Sequence, residues 1–131
     1  MTDDQFIHAL EHGELAPAEF NHRAHLRAAY IYLQRANWLD ATVRMRDTLR
    51  VFAARIGKAG LYHETITVAF MALVAERAAH GSYADGAAFA EAHGDLADKQ
   101  LLNRWYTATR LGSEQARARF VMPDCTQAVL P

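Results

Sequence analysis

The sequence predicts an all-α protein: a compact helical bundle of about five to seven helices, in one domain over residues 1–131. Three observations carry this. Several segments repeat apolar residues at helical spacing, and none alternates in the two-residue rhythm of a strand bounded by turns. Capping residues recur just ahead of those segments. Proline is confined to Pro17, Pro123 and Pro131, so it interrupts none of them. With 51% apolar and 22% charged residues, a chain of 131 residues can bury a core without disulfides or metals.

The first helix is expected over 3–12, where Thr2 and Gln5 fit a capping box and Gly13 a C-terminal stop. Pro17 opens a short turn. A second helix over 21–36 has Asn21 as N-cap and Phe20 in the staple position before it. His22, His25, Leu26, Ala29, Leu33 and Ala36 share its inner stripe. A third helix over 40–56, capped by Asp40, turns Met45, Leu49, Phe52, Ala53 and Ile56 inward. Its arginines Arg44, Arg46, Arg50 and Arg55 read as a solvated face. Gly57 to Gly60 ends it. The fourth helix, 62–79, is apolar almost all round and so belongs at the centre. Ser82 caps a short alanine-rich helix over 83–92, and a helix over 97–106 turns Leu101, Leu102 and Trp105 inward. Ser113 caps a last helix over 114–120. Residues 121–131 read as an extended tail, because Pro123 disfavours a helical residue before it.

Composition excludes several classes of function. The net charge is −1 and no helix is a basic recognition helix, so no nucleic-acid partner is expected. The apolar stretch over 66–75 is far too short to span a bilayer, so no membrane insertion is expected. The single cysteine, Cys125, rules out an internal disulfide and a cysteine zinc site, and reads as an incidental thiol. MTDDQFIHALEHGE lacks the layout of a signal peptide, so the expected address is cytoplasmic. Met45, Met71 and Met122 read as core or edge filler. There is no glycine-rich phosphate loop and no serine elbow.

Two motifs stand out: FNHRAHL (20–26) and YHET (62–65). Short loops join antiparallel neighbours in helical domains. The second and fourth helices should therefore run parallel, with their N-termini at one end. If they touch, their axes lie about 8–10 Å apart, which brings His22 and His25 within reach of His63 and Glu64. His22 and His25, three residues apart, share a helix face. A desolvated imidazole in a first helical turn should stay neutral, and a carboxylate there should stay charged.

Three readings of this polar site remain open. In the first, His22, His25, His63 and Glu64 hold one divalent metal, with a donor set suiting zinc, iron(II) or manganese. HETIT starts like the HExxH zinc motif, but Thr67 stands where its second histidine would be. Glu19 and His22 supply only one of the two Glu-x-x-His pairs of a di-iron site. In the second, a metal-free pocket uses His63, Glu64 and His25 as acid–base groups on a small molecule, lined by Tyr30, Tyr62, Thr67, Trp105, Tyr106 and Arg110. In the third, the cluster is structural, and the chain is a non-catalytic interaction module. It would then dimerise through helix faces such as the alanine-rich one over 83–92.

The phrases FNHRAHLRAAYIYL, YHETITVAF and ARARFVMPD resemble those of a family of small bacterial proteins to which no activity is attached. The resemblance runs from about residue 20 to 124. It implies a bacterial origin, and it marks His22, His25, His63, Glu64 and Thr65 as the positions inside the shared phrases.

Overall fold

The computed structural model describes residues 1–125, and every regular element among them is helical. Thr2 and Gln5 close the capping box of α1, Asp3–Glu11, as expected. Asn21 caps α2, His22–Arg35, by accepting from the Ala24 N–H. The third helix begins earlier than expected. Asn37, not Asp40, caps α3, Trp38–Arg55, and the Asp40 N–H is the group its side chain satisfies. Asparagine and aspartate cap about equally well. The earlier start adds Trp38, Leu39 and Asp40 to the helix, and the Asn37 side chain bonds both the Asp40 N–H and the Asp40 carboxylate.

Gly57, at φ +72, ends α3 in the left-handed conformation that glycine tolerates. The Lys58 N–H reaches back to the Ala53 carbonyl, completing a Schellman-type stop. A 3-10 turn, Ala59–Leu61, leads to α4, Glu64–Ala79, whose N-cap is His63. Then come α5, Gly86–Ala92, α6, Ala108–Leu111, and α7, Glu114–Ala118.

Three expectations need correction here. Asp85, not Ser82, caps α5, and Tyr83 stays outside the helix because its ring packs edge-on against Tyr30 and Phe89. The helix expected over 97–106 is instead two 3-10 turns, Gly94–Ala97 and Leu101–Arg104. Asp98 adopts extended backbone between them and accepts from the Gln100 N–H, which diverts the chain from helix. The short α6, capped by Thr107, has no sustained apolar period and was not expected. Residues 121–125 form no regular element; the rest of the expected tail, 126–131, lies outside the described residues.

The bundle centres on α2, which packs against α3, α4 and α5. Leu26, Ala28 and Ala29 are fully enclosed, as are Met45 of α3 and Met71 and Val74 of α4. Each such Leu or Met contributes roughly 1.5–3 kcal/mol of transfer free energy. Met122, by contrast, is exposed. Gly86 lets α5 close on α2, since a Cβ there would meet Arg27 and Ile31. Phe89 and Ala90 of α5 are buried against the bundle, whereas Ala87 and Ala92 are exposed. A second, smaller cluster joins Leu102, Tyr106, Ala116 and Val121 beside α4. No helix among the described residues is long and apolar enough to cross a membrane.

Candidate functional site

A cavity of about 440 Å³ opens beside the starts of α2 and α4. His22, His25, Tyr62, His63 and Thr67 all border it, so the two motifs do meet at one end of the bundle. Most of its other lining is apolar, from Phe20, Met45, Leu49, Phe52, Phe70 and Leu102 among others. The volume lies in the range of about 300–1,000 Å³ usual for small-molecule pockets.

The YHET residues build the wall and are occupied in doing so. His63 Nδ1 accepts from the Ile66 N–H, which caps α4. Its proton is therefore on Nε2, which donates to the Leu111 carbonyl at 2.6 Å. Neither ring nitrogen is left for a metal or for proton transfer. Glu64 accepts from the Tyr62 hydroxyl at 2.6 Å and from Arg46 Nε at 2.8 and 3.0 Å. Burial works against its charge, but Tyr62 and Arg46 outweigh burial and hold the carboxyl below the usual glutamate range. The same contact acts on Tyr62, whose hydroxyl is pushed up to about 12, first by burial and then by Glu64. Arg50 stacks over the Tyr62 ring. Thr65, fully buried, donates to the Arg119 carbonyl and accepts from the Val121 N–H. Thr67 donates to the His63 carbonyl.

The FNHRAHL residues leave more chemistry open. Phe20 is buried, with its ring tilted against His25 and edge-on to Phe52. Arg23 pairs with Glu91. Among the described residues, no side chain hydrogen-bonds a ring nitrogen of His22 or His25. Burial, then the charge of His22, drive the His25 pKa down to about 4, against a smaller opposite pull from the Phe20 carbonyl. His25 is therefore a neutral imidazole at pH 7, as its desolvated place in a first helical turn suggested. Such a weak base accepts hydrogen bonds well but has little driving force to remove a proton.

The proposed metal set does not assemble. Among the described residues, no three His, Cys, Asp or Glu side chains converge as a metal ion requires. His63 and Glu64 are the missing members, being held by Leu111 and Arg46. Arg46 is also a correction to the solvated face expected on α3: it is half-buried against Glu64.

Four expected pocket residues lie elsewhere. Tyr30 stacks on Phe89 in the core. The Tyr106 hydroxyl donates to the Val121 carbonyl, and Arg110 Nε donates to the Met122 carbonyl, so both fasten the chain that follows α7. Trp105 packs on the smaller apolar cluster, under Arg104. The positions of Trp105 and Tyr106 follow from the 3-10 turn Leu101–Arg104 that stands where a helix was expected. Sequence reasoning missed Lys58 and Lys99 at this site, although they are the chain's only two lysines.

No family model matches the chain, and no curated protein or solved structure is significantly similar to it. The geometry of the cavity therefore carries the functional reading.

Proposed function

We propose that the protein binds a small, mainly apolar molecule in the cavity between the starts of α2 and α4, with His25 as its hydrogen-bonding contact inside. One observation carries this: an apolar cavity of about 440 Å³ is bordered by His22 and His25, whose ring nitrogens bond no side chain among the described residues. Elsewhere in the motifs, Asn21, His63, Glu64, Thr65 and Thr67 all have partners. An open polar group in an apolar pocket is what orients a ligand. At about 30 Å³ per water-sized group, the cavity holds on the order of 15 non-hydrogen atoms. The low pKa of His25 favours binding over proton abstraction.

The test is an NMR titration with 4-ethylphenol, an apolar ring bearing one hydroxyl. Saturable shifts are expected at His25, Leu49, Phe52 and Phe70. Ala53→Phe, which fills the cavity from α3, should abolish them while the far-UV circular dichroism is unchanged. Shifts that do not saturate, or that persist in a folded Ala53→Phe protein, would refute the proposal.

A further inference from the structure

Charge is spread unevenly around this cavity. Of the 14 basic residues in the chain only two are lysines, Lys58 and Lys99, and both border it. Five of the arginines are used differently: Arg23, Arg27, Arg35, Arg46 and Arg77 pair with carboxylates across the fold. Among the described residues, neither lysine lies within ion-pair distance of a carboxylate. Both are exposed, as are His22 and Leu61 nearby, so this side of the cavity is its mouth. Asp98 is the only carboxylate in the described lining, and its Oδ1 accepts from the Gln100 N–H. Two ammonium groups thus face one carboxylate.

The inner end is the opposite. Phe20, Met45, Leu96 and Leu102 are buried there. The buried polar groups beside them, His63 and Thr67, spend their hydrogen bonds within the protein. His25 stays neutral and so offers an anion no charge to pair with. The backbone fixes this polarity. The left-handed Gly57 turns the chain so that Lys58 follows directly on α3, and the extended Asp98 sets Lys99 between the two 3-10 turns.

We propose that the ligand is a small amphipathic carboxylate, its apolar tail directed toward Met45 and Leu102 and its carboxylate held at the mouth by Lys58 and Lys99. This rests on the cavity being a binding site. Compact, flexible ammonium groups at an open rim suit a solvated head group, whereas the rigid fork of arginine suits fixed pairs. Rim charges of this kind set ligand sign and association rate more than depth of binding.

Calorimetric titration with octanoate, 1-octanol and octylamine tests the sign and leaves the tail constant. Octanoate should bind most tightly and octylamine least. The double variant Lys58→Gln/Lys99→Gln should weaken octanoate roughly five- to tenfold, as two exposed ion pairs allow, and leave octanol within about twofold. Added salt should act in the same direction. Equal binding of octanol and octanoate, tighter binding of octylamine, or no effect of the double variant would overturn the assignment. So would failure of all three to bind while 4-ethylphenol still does. In each of these cases the cavity remains a binding site. Failure of 4-ethylphenol as well would reject the cavity reading itself.

Discussion

Acidification from pH 7.5 to 4.5 asks His25 to take up a proton inside an apolar wall, beside Phe20 and His22. Its pKa falls from an ordinary 6.5 to about 4 in the folded protein, by burial first and the His22 charge second. The folded value lies below the unfolded one, so between the two the unfolded chain binds the extra proton. The stability tied to the neutral ring is therefore complete above about pH 6.5 and drains away as the pH falls toward 4. Integrating over that shift gives about 1.4 kcal/mol lost by pH 5.5 and about 2.5 kcal/mol by pH 4.5. His25→Phe keeps a planar ring of similar size against Phe20 and has nothing to protonate. Urea unfolding of both proteins at pH 7.5, 6.5, 5.5 and 4.5, followed by circular dichroism, isolates the histidine. The carboxylates with lowered pKa values, Glu64, Asp95 and Asp124, titrate in both proteins and cancel in the difference. The native protein should lose about 2–3 kcal/mol more than the variant over this range. Stability curves that run parallel within about 0.5 kcal/mol would refute the desolvated placement of His25.

Two further predictions concern the wall. His63→Ala removes the α4 cap and leaves the Leu111 carbonyl without its donor, which should cost about 2–4 kcal/mol in urea unfolding, with His63→Asn recovering the capping share of about 1 kcal/mol. A cost below about 1 kcal/mol would show that neither bond matters. Thr65→Val keeps the shape but strips both bonds to the chain after α7, so it should cost about 1–3 kcal/mol. Hydrogen exchange should show loss of protection at the Val121 amide in that variant. A protected amide would mean that Thr65 does not fasten this segment.

Much of the bundle was legible because its signals are local. Thr2, Asn21 and Ser113 cap where their side chains can reach their own next turn, and no distant residue is needed. The shared end of the second and fourth helices was legible too, since two short connections fix helix direction. The start of the third helix was misplaced, because Asp40 has as good a capping side chain as Asn37, which takes the position. The region over 97–106 failed for another reason. Its apolar residues have helical spacing, but the Asp98 side chain competes for the Gln100 N–H, and burial of Leu96 and Leu102 is compatible with turns.

The histidine-rich motifs divide along the same line. From the sequence alone came the place: imidazoles and a carboxylate at one end of an all-α bundle, on inward stripes. Only the tertiary structure decided which of them are free. Arg46, one helix away, takes Glu64, and the Leu111 carbonyl, far along the chain, takes the second nitrogen of His63. His22 and His25 bond no side chain among the described residues, and Lys58 and Lys99 converge on the same cavity from separate turns. The physical reason is that residue type and spacing set what a side chain is able to bond, whereas what it does bond depends on groups brought near only when the chain has folded.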